Sequence, residues 1–281
     1  MKNFYLKSSL AFSQHDFAII DRAKISAIDT SWPVQDLVSP MLQPQAYLYP
    51  FCLSLKQMNP SDWNNLVGQQ HTEAPGKPPL CRLLLKSDWP EHEVYRQLIN
   101  ALHYTDEKKK KHIFRYYDPQ VLFHLSWMFP LGKLSELIPV RQISQWTFWL
   151  EGQWHTLEFP STSSMSFPFE HAEDDTVTRL KNIGLINSLL MQMPPIADIA
   201  ERLNNSRHIE MLLIKAQELG LSHREDLHIF AQIGLNRSPD FWKSPAIQVV
   251  IKQSKGFPQF FNRKIRCLSE SDWQAALAQV K

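Results

Sequence analysis

Residues 114–122 read Phe114-Arg115-Tyr116-Tyr117-Asp118-Pro119-Gln120-Val121-Leu122. They mark a change of period in the chain. His112 to Tyr117 is dense in aromatic and β-branched types, which suit a pleated, half-buried strand. Asp118-Pro119 ends that run. An aspartate can cap a helix with its carboxylate, and proline is tolerated at the first helical position. Val121, Leu122, Leu125 and Met128 then recur at helical spacing. The segment therefore predicts a strand feeding a helix through an Asp-Pro step. On such a strand Arg115 and Tyr117 face one way and Phe114 and Tyr116 the other.

Working toward the N-terminus, strand and helix signals alternate. Phe17-Ala18-Ile19-Ile20 is a short apolar run ending at Asp21, consistent with a buried strand. Ala46 to Tyr49, before Pro50, is a second strand expectation. Asn59-Pro60-Ser61-Asp62 opens a helix carrying Trp63, Leu66 and Val67. Residues 68–79 read as a loop, and Leu80 to Leu85 as a strand. Ser87 to Pro90 leads into a helix with the stripe Val94, Leu98 and Leu102. Lys108 to Lys111 is a basic run, expected to be a solvated face.

Toward the C-terminus, Thr147 to Leu150, Glu151-Gly152 and Trp154 to Phe159 form a hairpin pattern. Residues 160–176, with prolines, serines and Glu173-Asp174-Asp175, read as a surface connection. Strand signals stop beyond it. Leu180 to Met191 is helical in pattern. Ile209, Leu212, Leu213, Ala216 and Leu219 keep helical spacing until Gly220. Ser222 with Glu225 reads as a capping box. Ser244-Pro245 starts another helix. Ser269 with Asp272 starts the last, which carries Trp273 and Leu277. The expectation is an α+β protein: a mixed strand–helix lobe over residues 1–165 and an all-helical lobe over 166–281.

Composition narrows the function. The chain has 281 residues, 43% hydrophobic and 21% charged, so it can bury a sizeable core. The net charge of +2 is small for a dedicated DNA-binding domain, and only 8 residues are glycine. Cys52, Cys81 and Cys267 are odd in number and far apart, which fits a reducing compartment. No secretory pattern opens the sequence, and Ile183 to Met193 is too short to span a bilayer. A cytoplasmic protein with no membrane insertion is the expectation.

Chemistry-bearing motifs are sparse. Gly76-Lys77 is followed by two prolines, which lack the N–H groups a phosphate cradle needs. There is no Gly-x-Ser-x-Gly, His-Glu-x-x-His or Cys-x-x-Cys. The 11 histidines are dispersed, so no metal site and no cofactor are expected. Arg115 and Asp118 could act as an anion-binding and acid/base pair. The simpler account has Asp118 cap its helix and Arg115 brace the strand end. Cys81, inside an apolar run, reads as an inert buried thiol.

Residues 114–122 also resemble the "F-R-[FY]-[YF]-D-P-R-V-L" signature of the type VI secretion effector adaptors, or effector chaperones. Gln120 stands where that family often has Arg. Phe17 to Asp21 is similar to the family's opening "Y-A-L-[IL]-D". Leu83 to Ser87 and the helix to Leu102 resemble the elements before its signature. Ala216 to Phe230 resembles its "A-x-x-[YL]-G-[IL]…D-L-x-x-F" pattern, through Gly220, Asp226, Leu227 and Phe230. Trp273 matches a tryptophan near its end. The resemblance implies no catalysis. It implies a protein that binds the N-terminal part of a toxic effector and loads it onto the VgrG spike. On that reading the signature residues Phe114, Arg115, Tyr116, Tyr117, Asp118 and Pro119 are of interest, with Trp149 and Trp242 as further partner-binding expectations. The competing expectations are a hydrolase using Arg115, Asp118 and a histidine such as His124, and a nucleic-acid module using Lys108 to Lys111.

Overall fold

A computed structural model describes residues 6–7, 10–24, 31–71, 78–106, 108–159 and 175–280. The chain divides into two compact units, Met1–Val177 and Thr178–Lys281. The first contains an antiparallel sheet with helices; the described part of the second is helical. The fold is α+β. The expected lobe boundary at 165/166 and most of the expected connection, 160–174, lie outside the described residues.

Among the described residues the sheet of the first unit has seven strands in the order β1-β9-β8-β5-β2-β4-β3. These are β1 Leu6–Lys7, β2 Phe17–Ile20, β3 Val34–Asp36, β4 Phe51–Ser54, β5 Leu83–Lys86, β8 Gln145–Leu150 and β9 Gln153–Glu158. All their pairings are antiparallel. β2 is flanked on both sides, and all four of its residues are buried. That is why it reads as an unbroken apolar run rather than an alternation.

Register sorts the side chains of the sheet. Ala18 lies opposite Leu53 and Leu84. With Ile20 these residues pack in one cluster with Leu66 of helix α1, Pro60–His71. Phe17 lies opposite Leu85, which lies opposite Trp146. Phe17 also meets the edge of Tyr95, on helix α2, Glu91–Asn100. Asn59 caps α1 by accepting from the Asp62 N–H at 2.9 Å. The β8–β9 hairpin turns on Glu151-Gly152.

Two strand expectations are corrected. Ala46 to Tyr49 is not a strand: Pro40–Leu48 is a run of 3-10 turns kinked at Gln45. Pro40 and Pro44 fix φ and supply no N–H for a ladder, and the strand begins only after Pro50. His112 to Tyr117 is not one strand either. A two-stranded ribbon pairs β6, His103–Thr105, with β7, Lys111–Ile113. It closes where the Phe114 N–H donates to the Leu102 carbonyl at 2.7 Å, because the strand opposite has given way there to the turn that follows α2. Residues 115–118 form a turn in which the Asp118 N–H donates to the Arg115 carbonyl at 3.0 Å. Helices α3, Pro119–Met128, and α4, Leu131–Leu137, follow.

The second unit comprises α5 Thr176–Leu190, α6 Ile199–Glu218, α7 Arg224–Asn236, α8 Pro245–Ser254, α9 Phe260–Arg266 and α10 Glu270–Leu277; α5 begins two residues before the division. Gly220 takes φ +92° just beyond α6, a left-handed position that ends the helix as expected. Gly234 lets α6 and α7 approach closely: a Cβ there would lie 2.6 Å from Leu212. The core is aromatic, with Phe230 against Phe241 and Phe261, and Phe241 against Trp273. Buried Asp226 accepts from the Asn262 N–H at 2.8 Å and so caps α9 from α7. The Ser269–Asp272 capping box forms. The Ser222–Glu225 box does not: α7 starts one residue later, with His223 at the cap position and no side-chain cap bond.

Candidate partner-binding site

The signature residues form a structural joint. Asp118 caps α3, accepting from the Gln120 N–H at 3.0 Å, and Pro119 is the first helical residue. Tyr116 is fully buried and its hydroxyl donates to the Leu98 carbonyl at 2.9 Å. That carbonyl belongs to the last turn of α2, where no helical N–H remains to reach it. Phe114, Tyr116, Tyr117 and Trp146 meet edge to face, with centroids 5.9 to 6.1 Å apart, an arrangement aromatic quadrupoles favour. Tyr117 is buried along with Phe114 and Tyr116, so the strand-based split of the four residues into two faces does not hold. The turn turns all three rings inward and leaves Arg115 exposed.

Arg115 reaches a residue that local reading misses. Its Nη2 donates to Asp21 Oδ2 at 2.7 Å, and the Asp118 carboxylate is 3.9 Å away. Its guanidinium carbon lies 5.5 Å from the centre of the Tyr117 ring. Arg115 thus ties the α3 entry to the end of β2. Burial pushes the Tyr117 hydroxyl up to about 12 against the opposing pull of Arg115. Burial holds the Tyr116 hydroxyl well above the ordinary tyrosine value.

Trp149 and Trp242 are both half-buried and lie in different units. Trp149 faces Trp154 across the β8–β9 hairpin. Trp242 sits in a 3-10 turn, Phe241–Lys243, with Lys215 Nζ 4.7 Å from its ring centre.

Beside the joint runs a groove of about 1160 Å³. Tyr95, Arg96 and Ile99 of α2 line one side; Pro40, Met41 and Leu42 line the other, and His103, Lys111 and Ile113 of the ribbon line a third. Met41 is 90% exposed and Ile113 41%, large apolar side chains open to solvent. The Tyr49 hydroxyl and His103 Nε2 are hydrogen-bonded at 2.9 Å. Burial first, and then the charge of Lys111, hold His103 below the ordinary histidine value. Local reading missed this groove because its walls come from three separated segments. The one sequence signal was the basic run ending in Lys111.

The residues named for hydrolysis are otherwise engaged. His124 is fully buried on α3, six residues and about 9 Å of helix rise beyond Asp118. Cys52 and Cys81 are fully buried, and burial pushes the Cys81 thiol up to about 12. Among the described residues no group of three His, Cys, Asp or Glu is placed to hold a metal, and no helix is long and apolar enough to cross a membrane. Comparison with protein-family models, curated proteins and solved structures finds no match.

Proposed function

We propose that this chain is a cytoplasmic effector adaptor of type VI secretion, which binds the N-terminal region of a toxin and presents it to the VgrG spike. The observation that carries the reading is how residues 114–122 are used. Asp118 caps, the rings of Phe114, Tyr116 and Tyr117 are buried, and Arg115 is ion-paired to Asp21. Residues so engaged support a joint that shapes a binding surface more readily than a catalytic set. The resemblance of these residues and of Phe17–Asp21 to the adaptor signature supplies the partners, and the open groove beside the joint is a surface on which a protein segment could rest. Co-expression with effector and spike proteins of the same genome tests it. The effector's N-terminal part should co-purify with this chain, and the spike with both. Failure of any effector to associate, with effector delivery unchanged when the gene is deleted, overturns the proposal.

A further inference from the structure

We infer that the groove between α2, residues 39–45 and the β6–β7 ribbon docks a segment of a partner protein that carries apolar side chains together with carboxylates. The inference deepens the adaptor reading and rests on it for the partner's role, though the docking chemistry stands on the groove alone.

Three observations fix the occupant. The first is size. At about 1160 Å³ the groove exceeds the roughly 300–1,000 Å³ of a small-molecule site, and its rim is open. The second is apolar exposure. Met41 and Ile113 line it at 90% and 41% exposed, and the same 3-10 segment also leaves Tyr47 65% and Leu48 48% exposed. Met41 and Ile113 come from two different walls of one groove, and apolar groups gathered about one concave surface mark an interaction surface, whereas scattered ones do not. The third is charge. Lys111 lines the groove at the ribbon end, and exposed Lys108, Lys109 and Lys110 form the turn beside it, with Asp106 the carboxylate at the turn among the described residues. Asp106 is already held by His112 at 2.8 Å and by the Lys108 and Lys110 N–H groups. On α2, Arg96 adds a further cation, paired with Glu93. Glu91, the one carboxylate among the described lining residues, accepts from Gln57 at 2.7 Å. The lysines therefore make the ribbon turn electropositive, while Met41 and Ile113 supply apolar contact within the groove. Complementary charge selects the partner and apolar contact holds it.

The test is panning of a display library of random 12-residue peptides against the purified full chain. Peptides combining aliphatic or aromatic residues with Asp or Glu should be enriched. A synthetic copy of the best one should lose about tenfold or more in affinity on Ile113→Asp and on Lys111→Glu, two surface changes that should leave the melting temperature unchanged. Absence of enrichment, enrichment of basic peptides, or equal binding by both variants overturns the inference. So does a dimer in sedimentation that Ile113→Asp dissolves, since the occupant would then be a second copy. An effector that co-purifies equally with Ile113→Asp and wild type removes the groove and leaves the adaptor reading standing. Peptide binding without any effector association does the reverse.

Discussion

Replacing Asp118 by Ala removes one defined interaction, the bond accepted from the Gln120 N–H at 3.0 Å. An N-cap lost to alanine costs about 1 kcal/mol, within a range of roughly 0.5–2. The second effect is small. Arg115 is 3.9 Å from Asp118 and partly exposed, so that pair contributes a few tenths of a kcal/mol at most, and Arg115 keeps its 2.7 Å bond to Asp21. The sum is about 1–1.5 kcal/mol. For a unit of this size each kcal/mol lowers the melting temperature by roughly 2–4 °C, so a fall of about 2–6 °C is expected. Urea titration should move the midpoint and keep the slope, because the surface exposed on unfolding is unchanged. Asp118→Asn keeps an acceptor at the cap and should stay near wild type. If Asp118→Ala melts with wild type yet fails to bind a partner, the capping account is wrong and Asp118 is itself a contact.

Further outcomes follow from other contacts. Tyr116→Phe deletes the donor to the buried Leu98 carbonyl and should cost about 1–3 kcal/mol in urea unfolding; a neutral result would mean water takes its place. Burial, the largest cause in each case, holds His15, His103, His155 and His228 below the ordinary value of 6.5, so the unfolded chain takes up protons first. Stability should be full above about pH 6.5 and fall as the pH drops through the depressed folded values; a melting temperature that rises from pH 7.5 to about 5.5 contradicts this. A disulfide reagent should titrate exposed Cys267 in the native protein, and Cys52 and Cys81 only after denaturation; rapid native reaction at Cys81 would refute its burial.

What could be read in advance was mostly local chemistry. The Asp118-Pro119 step, the Glu151-Gly152 turn, Gly220 and the Ser269 box each act through neighbours within a few residues, and Phe17–Ile20 shows in its unbroken apolar run that it is flanked on both sides. Errors came where something outside the pattern itself decided the outcome. Ala46 to Tyr49 has strand-like composition, but the prolines before it impose 3-10 turns. The aromatic run from His112 stops being a strand where β6 runs out. Ser222 is displaced from the cap because α7 starts one residue later. The candidate site was harder still. Arg115 pairs with Asp21 across 94 residues, and the groove joins residues from Gln35 to Ile113. No short-range pattern carries such pairings, since they are products of the sheet order.

The measurement that bears most directly on the central claim is three-way co-purification of this chain with an effector and the VgrG spike, run beside a deletion of the gene. The account predicts a stable complex with the effector's N-terminal part, recovery of the spike with it, and loss of effector delivery in the deletion strain. Unchanged effector stability, effector–spike association and delivery without this chain would contradict it.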